Sequence, residues 1–166
     1  MNAYAAMLIQ EYRQRGLLVD ANLLLVYIIG SFDRNLISKL SRLEDYTEED
    51  YDLLARLLPL FSAIVTTPHI LTEVSNLSTT AVWKNLHFDY LTVFAASIDV
   101  LAEEYVPSKD LAKMTIFTRL ALADSSIERV ARDTYLVLTD DLNLANHLEV
   151  EGIAVINFNH IRELAW

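Results

Sequence analysis

Apolar residues fall along this chain in two kinds of block. The first kind is short and continuous. Leu17, Leu18 and Val19 form one such run, and AIVTTP (63–68), TYLVLT (134–139) and IAVINF (153–158) form three more. A continuous run of this length fits a strand covered on both faces, as in a parallel sheet. Pro68 stops the second of them. The other kind is longer and spaced for a helix. Tyr51, Leu54, Ala55 and Leu58 sit at i, i+3, i+4 and i+7, which predicts a helix over 48–58. Thr47 is placed to cap it and Pro59 to end it.

The same reading predicts helices over 3–15, 22–30, 34–43, 69–79, 83–104, 109–120, 124–133 and 141–152. A bend is expected near Leu122-Ala123, and Gly152 is the stop signal of the last helix. Beyond 158 the pattern predicts only a short polar–apolar tail. Strands alternating with helices predict an α/β fold around a mainly parallel sheet of 4–5 strands. No repeat or linker interrupts it, so 1–166 reads as one domain with a helical arm at about 34–60.

Composition changes this picture little. The chain has 166 residues, 53% of them apolar, with three glycines and three prolines, a globular balance. There is no cysteine, which removes disulfides and thiolate metal sites. The apolar run at 17–32 contains Asp20 and Asn22 and is short for a membrane span of about 20 residues. Glu11, Arg13 and Arg15 precede it, unlike a signal peptide. A cytoplasmic protein without membrane contact is expected.

Charge changes the picture more. The formal charge is −10, and it is unevenly placed. Six acids lie in 44–52 with no base among them. No broad basic stripe marks a nucleic-acid surface. The 44–52 run reads as a solvated turn between helices, and RNA is expected to be repelled from that arm. His69, His87, His147 and His160 are scattered, and structural or surface roles are expected of them.

Five other acids carry the candidate chemistry. Asp20 follows the first strand, Glu73 lies just past the second, and Asp140 and Asp141 follow the third. Asp124 opens a helix after an apolar stretch. In an open parallel sheet, ligands bind outside the carboxyl ends of the strands, so these acids come out at one edge. Each also has a structural reading. Asp20 suits a cap for the next helix, and Glu73 suits a helix N-terminus. Asp140 and Asp141 suit turn and cap positions, and Ser125-x-x-Glu128 has the spacing of a capping box. Together they are different: four or five carboxylates in one place need protons or a cation. Mg²⁺ or Mn²⁺ matches such oxygen donors better than zinc does, and a carboxylate-held Mg²⁺ suits phosphodiester hydrolysis.

At this point the sequence resembles the PIN-domain nucleases. The resemblance rests on the strand–Asp-x-Asn element (Asp20, Asn22), on Glu73 after Pro68, on "LADSSI" (Asp124) and on "LTDD" (Thr139, Asp140, Asp141). These occur in order across essentially the whole chain, and "LNLANHLEVEGIAVINF" fits the family's closing helix and strand. The resemblance implies a three-layer α/β/α sandwich and a metal-dependent ribonuclease acting on RNA, of which many bacterial members are toxins of toxin–antitoxin pairs. It implies Asp20, Glu73, Asp124 and Asp141 as catalytic metal ligands, with Asp140 the neighbouring alternative. Asn22 and Thr139 would orient ligands or water. An antitoxin protein and a homodimer are the implied protein partners. Where many members have glycine before the third acid, this chain has Leu122 and Ala123.

Two other enzyme classes fit poorly. An aspartyl-phosphate phosphatase wants Asp-x-Asp after the first strand, and here the second position is Asn22. A receiver domain wants a late lysine, and none follows Arg119. A PIN-like module that binds partners without cleaving remains the alternative from a different class.

Overall fold

The computed structural model describes residues 3–162. Helix α1 (Ala3–Tyr12) runs through a turn at Gly16 into β1 (Leu17–Val19). Gly16 has φ +127°, and a Cβ there would stand 3.2 Å from the Ala63 carbonyl oxygen, so the turn requires glycine. Next come α2 (Ala21–Phe32), two 3₁₀ turns (Arg34–Lys39 and Ser41–Leu43) and α3 (Glu48–Leu57). After β2 (Ile64–Thr66) follow α4 (Pro68–Ala81), α5 (His87–Val100) and β3 (Ala102–Glu103). The chain continues as α6 (Ser108–Leu111), α7 (Phe117–Ala131), β4 (Leu136–Thr139), α8 (Leu142–Val150), β5 (Val155–Asn157) and α9 (Phe158–Arg162).

The five strands form one wholly parallel sheet in the order β3-β2-β1-β4-β5. Helices flank it, giving the α/β/α sandwich. The core runs through its middle: Leu17, Leu18 and Val19 of β1 and Leu136, Val137 and Leu138 of β4 have no exposed surface. Burying each such side chain contributes about 1.5–3 kcal/mol. No helix among the described residues is long and apolar enough to cross a membrane.

Topology decides where a ligand can enter. The chain builds β1, β2 and β3 outward in one direction, then returns to the other side of β1 to lay down β4 and β5. The order therefore reverses between β1 and β4, and the crevice at the carboxyl ends of those two strands is the switch point. Their register pairs Val19 with Leu138, and the Asp20 amide donates to the Leu138 carbonyl at 3.1 Å. Asp20 and the Thr139–Asp141 turn thus leave the sheet side by side.

Several elements depart from the sequence pattern. Residues 34–43 form 3₁₀ turns rather than an α-helix. Asp33 accepts from the Asn35 amide at 3.0 Å and Ser38 donates to the Asn35 carbonyl at 3.4 Å. Short polar side chains here compete with the helical ladder. The predicted helix over 83–104 ends at Val100, and the chain then adds β3 at the sheet edge. Two residues are too few to show a strand period. The helix predicted over 109–120 divides between α6 and the start of α7. The bend lies at Ala121, one residue before the expected Leu122-Ala123, with φ 64° and ψ −156°. The predicted tail forms α9 from Phe158 to Arg162, and its residues 163–166 lie outside the described residues.

The arm is tied down. Thr47 and Asp50 form a reciprocal capping box on α3, and Tyr51 of α3 stacks directly on Gly30 of α2. A Cβ on Gly30 would lie 2.3 Å from the Tyr51 ring, so this close approach also requires glycine. Arg34 bonds Asp52 through Nε at 2.9 Å and through Nη2 at 2.7 Å, and it also pairs with Glu48. Arg162 reaches the buried Asp50 at 3.5 Å. The run expected to be a solvated turn has three of its six acids held by cations.

Candidate functional site

A cavity of about 600 Å³ opens at the switch point. Asp20, Asn22, Glu73, Asp124 and Asp141 all line it, together with His69 and the apolar wall Leu120–Ala123. Four of the five acids singled out by sequence therefore meet in one place, from four different elements.

Asp20 gets there as the N-cap of α2. Its Oδ1 accepts from the Leu23 amide at 3.0 Å and its Oδ2 from the Asp140 amide at 3.2 Å. The residue is only 5% exposed. Burial pushes its pKa up, and the nearby Asp140 charge adds to this; hydrogen bonds from Leu23, Thr139 and Asp140 oppose the rise without cancelling it. The capping role is real and coexists with a place in the cavity wall.

Asp124 arrives through the break in α7, three residues past Ala121. Among the described residues its carboxyl has neither a hydrogen-bond nor an ion-pair partner. Burial, then the charges of Asp141 and Glu73, raise its pKa from 3.8 to about 7. The capping-box explanation of the following residues does not hold. Ser125 donates to the Ala121 carbonyl, while Glu128 is bound by Arg132 at 2.8 Å and His147 at 2.7 Å.

Glu73 lies in the second turn of α4, and no acid occupies that helix's first turn, so its helix-dipole explanation is weak. It is exposed at the cavity wall, without a partner among the described residues. Asp141 is the N-cap of α8, its Oδ1 accepting from Asn143 at 2.6 Å and Leu144 at 3.1 Å. Thr139 is fully buried; its hydroxyl accepts from the Asp141 amide at 3.0 Å and bonds Asp20. It fixes both acids from beneath.

Asp140 is placed differently. Its side chain does not line the cavity. Tyr46, from the arm, donates to its Oδ2, and its Oδ1 is buried without a hydrogen-bond partner. Burial and the Asp140 charge raise the Tyr46 hydroxyl, which stays protonated as the donor. Of the adjacent pair, Asp141 faces the cavity and Asp140 faces the arm.

Sequence reasoning passed over three residues here. Tyr46 reaches Asp140 across a separation of 94 residues, which no local spacing reveals. Arg42 donates through Nη2 to Asn22 Oδ1 at 2.9 Å, also from the arm. His69 lines the cavity while its Nε2 bonds Ser108 Oγ at 2.9 Å. His69 did carry a signal, because it follows Pro68 at the same strand-to-helix junction that leads to Glu73.

Carboxylates, the Asn22 and Asn76 amides and the Thr72 hydroxyl make the polar lining mainly oxygen, with the His69 imidazole at its wall. That is the chemistry of Mg²⁺ or Mn²⁺ rather than of a soft metal. As the side chains stand, no three His, Asp or Glu groups among the described residues are gathered closely enough to hold a metal ion. No protein-family model matches the chain, and no curated protein or solved structure matches it either.

Proposed function

We propose that the chain is a PIN-like ribonuclease that uses Mg²⁺ or Mn²⁺ to hydrolyse RNA phosphodiester bonds. The observation that carries this reading is the meeting of Asp20, Glu73, Asp124 and Asp141 on one cavity at the switch point, none of them in a salt bridge among the described residues. Each comes from a different element, so local sequence chance does not explain their convergence. Two of the four have carboxyl groups raised by burial and by neighbouring acids, the state expected where a missing positive charge would be welcome.

Asp20 and Asp124 are the central ligands in this reading, with Glu73 and Asp141 completing the set. Bound there, the cation would supply an activated water and neutralise charge on the phosphate oxygens. Asn22 is placed to orient a ligand or water, and Thr139 holds Asp20 and the Asp141 amide in position. The apolar wall Leu120–Ala123 lowers the polarity of one side of the cavity, where charges interact more strongly than in open water.

The test is a Mn²⁺ titration by calorimetry beside a cleavage assay on labelled RNA, for wild type and Asp20→Asn. The expected result is Mn²⁺-dependent cleavage by wild type, and loss of both cleavage and Mn²⁺ affinity in the variant, with unchanged circular dichroism. An Asp20→Asn protein that cuts RNA as well as wild type would sink the mechanism. A wild type that binds no Mn²⁺ would instead make this a non-cleaving, PIN-like binding or assembly module.

A further inference from the structure

The acidic composition of 44–52 predicts an arm that repels RNA. Three of its six acids are already paired in the fold. Glu48 and Asp52 are bound by Arg34, and Asp50 is buried against Arg162. At the cavity lip the arm presents Arg42, on Asn22. Its side chain is exposed and donates a single hydrogen bond, to Asn22, which itself lines the cavity. No carboxylate pairs with it among the described residues. A guanidinium has five donors in a planar fork suited to phosphate, so most of this one's capacity is unused.

Charge of the same sign adjoins the far wall. Residues 108–120 leave the cavity wall at Ser108, which bonds His69, and return to it at Leu120, which lines the cavity. Lys109 follows the first of these and Arg119 precedes the second, both exposed and neither in an ion pair among the described residues. Neither side chain lines the cavity, but each stands one residue from a group at its wall, in a chain of net charge −10. A polyanion repelled by the molecule at large would find attraction on either side of the cleft.

We propose that Arg42 is a substrate-positioning residue. It would clamp an RNA phosphate next to the one held in the cavity, with the strand running on towards Lys109 and Arg119. This rests on the ribonuclease reading for the identity of the substrate. Asn22 then has a second duty, holding the guanidinium at the cavity lip.

Arg42→Gln and Arg42→Lys in the full chain test it, with a labelled single-stranded oligoribonucleotide as the probe. Binding is followed by fluorescence anisotropy in EDTA across a range of salt, cleavage kinetics in Mn²⁺, and Mn²⁺ affinity by calorimetry. The expected result for Arg42→Gln is a KM raised about tenfold, the loss of one charge-assisted contact. The slope of log K against log salt should fall by about 0.7, one single-strand phosphate contact. Mn²⁺ affinity should not change, and Arg42→Lys should keep the salt slope while recovering only part of KM, because it restores the charge but not the fork. A merely structural arginine would move neither the slope nor the KM-to-kcat balance in this pattern. Wild-type KM and slope in Arg42→Gln, with Mn²⁺-dependent cleavage intact, would overturn the assignment and leave the ribonuclease reading standing. RNA binding with an Arg42-dependent slope but no Mn²⁺-dependent cleavage would overturn the reading and leave Arg42 as an RNA contact.

Discussion

The arm and the cavity both carry acids, and they treat them in opposite ways. In the arm, Glu48 and Asp52 share Arg34, and Asp50 closes a capping box and meets Arg162. In the cavity, Asp20, Glu73, Asp124 and Asp141 have no cation within salt-bridge distance among the described residues. The direction of titration follows. The Arg34 guanidinium holds Asp52 below the usual carboxylate range, whereas Asp124 is pushed up to about 7. Composition alone ranks the arm as the stronger cation attractor because it is the denser cluster. Neutralisation, not density, separates the two clusters, since Asp20 and Asp141 cap helices as well.

The largest effect should come from exchanging one acid of each kind. Glu73→Gln should lower RNA cleavage by at least ~100-fold, as removal of a direct metal ligand would. Asp52→Asn, a change of the same charge on the arm, should leave cleavage at the wild-type rate. Parallel losses in the two variants would mean that net charge matters and the cavity does not.

The next effect reads the cavity without any substrate. The folded Asp124 carboxyl keeps its proton up to about 7, whereas an unfolded one gives it up near 3.8. Between those values the folded chain binds the extra proton, so the stability of metal-free protein falls as pH rises through that window. Asp124→Asn removes the cost. It should stabilise metal-free protein at pH 8 by about 2 kcal/mol, allowing for solvent screening of a partly buried group, and should flatten the slope. Urea titrations at pH 5 and pH 8 measure both. A wild type equally stable at the two values would show that the cavity acids are already satisfied.

How much of this was legible in sequence follows the range of the interactions. β1 and β4 announce themselves because three or four consecutive apolar residues need no distant information. The place of Asp20, Glu73 and Asp141 follows from strand ends, which are local. β3 has two residues and borrows its ladder from β2, so no pattern marks it. The turns at 34–43 depend on side chains that compete with the backbone, which apolar spacing ignores. Tyr46 and Arg42 reach the site from the arm, across separations of 94 and 20 residues. The choice between Asp140 and Asp141 was open in sequence for the same reason, since it turns on a tyrosine from the arm.

A smaller effect tests the hinge of the cavity wall. Ala121 has φ 64° and ψ −156°, a conformation that suits glycine and costs another residue about 1–3 kcal/mol. The strained position stands three residues before Asp124 and so sets how that acid enters the cavity. Ala121→Gly should relieve it, offset in part by the entropy glycine loses on folding, for a net gain of about 1 kcal/mol. Thermal unfolding measures this, and a destabilised variant would show that the break in α7 carries no strain.

The smallest effect sharpens the comparison most. Arg34→Gln leaves Glu48 and Asp52 without their cation, so the arm then resembles the cavity in charge. These groups are about 27–45% exposed at the side chain, where water screens what the pair once contributed. The variant should lose only a little thermal stability, and 1 M salt should erase much of the difference. It should gain no Mn²⁺ affinity, because exposed acids in water have little reason to exchange solvent for a cation. Asp20 differs in being buried, with its pKa raised chiefly by loss of solvent. If Arg34→Gln bound a second Mn²⁺ as tightly as the cavity binds its first, unneutralised acids alone would suffice to make a site. The burial of Asp20 and the apolar wall beside it would then contribute nothing to metal binding.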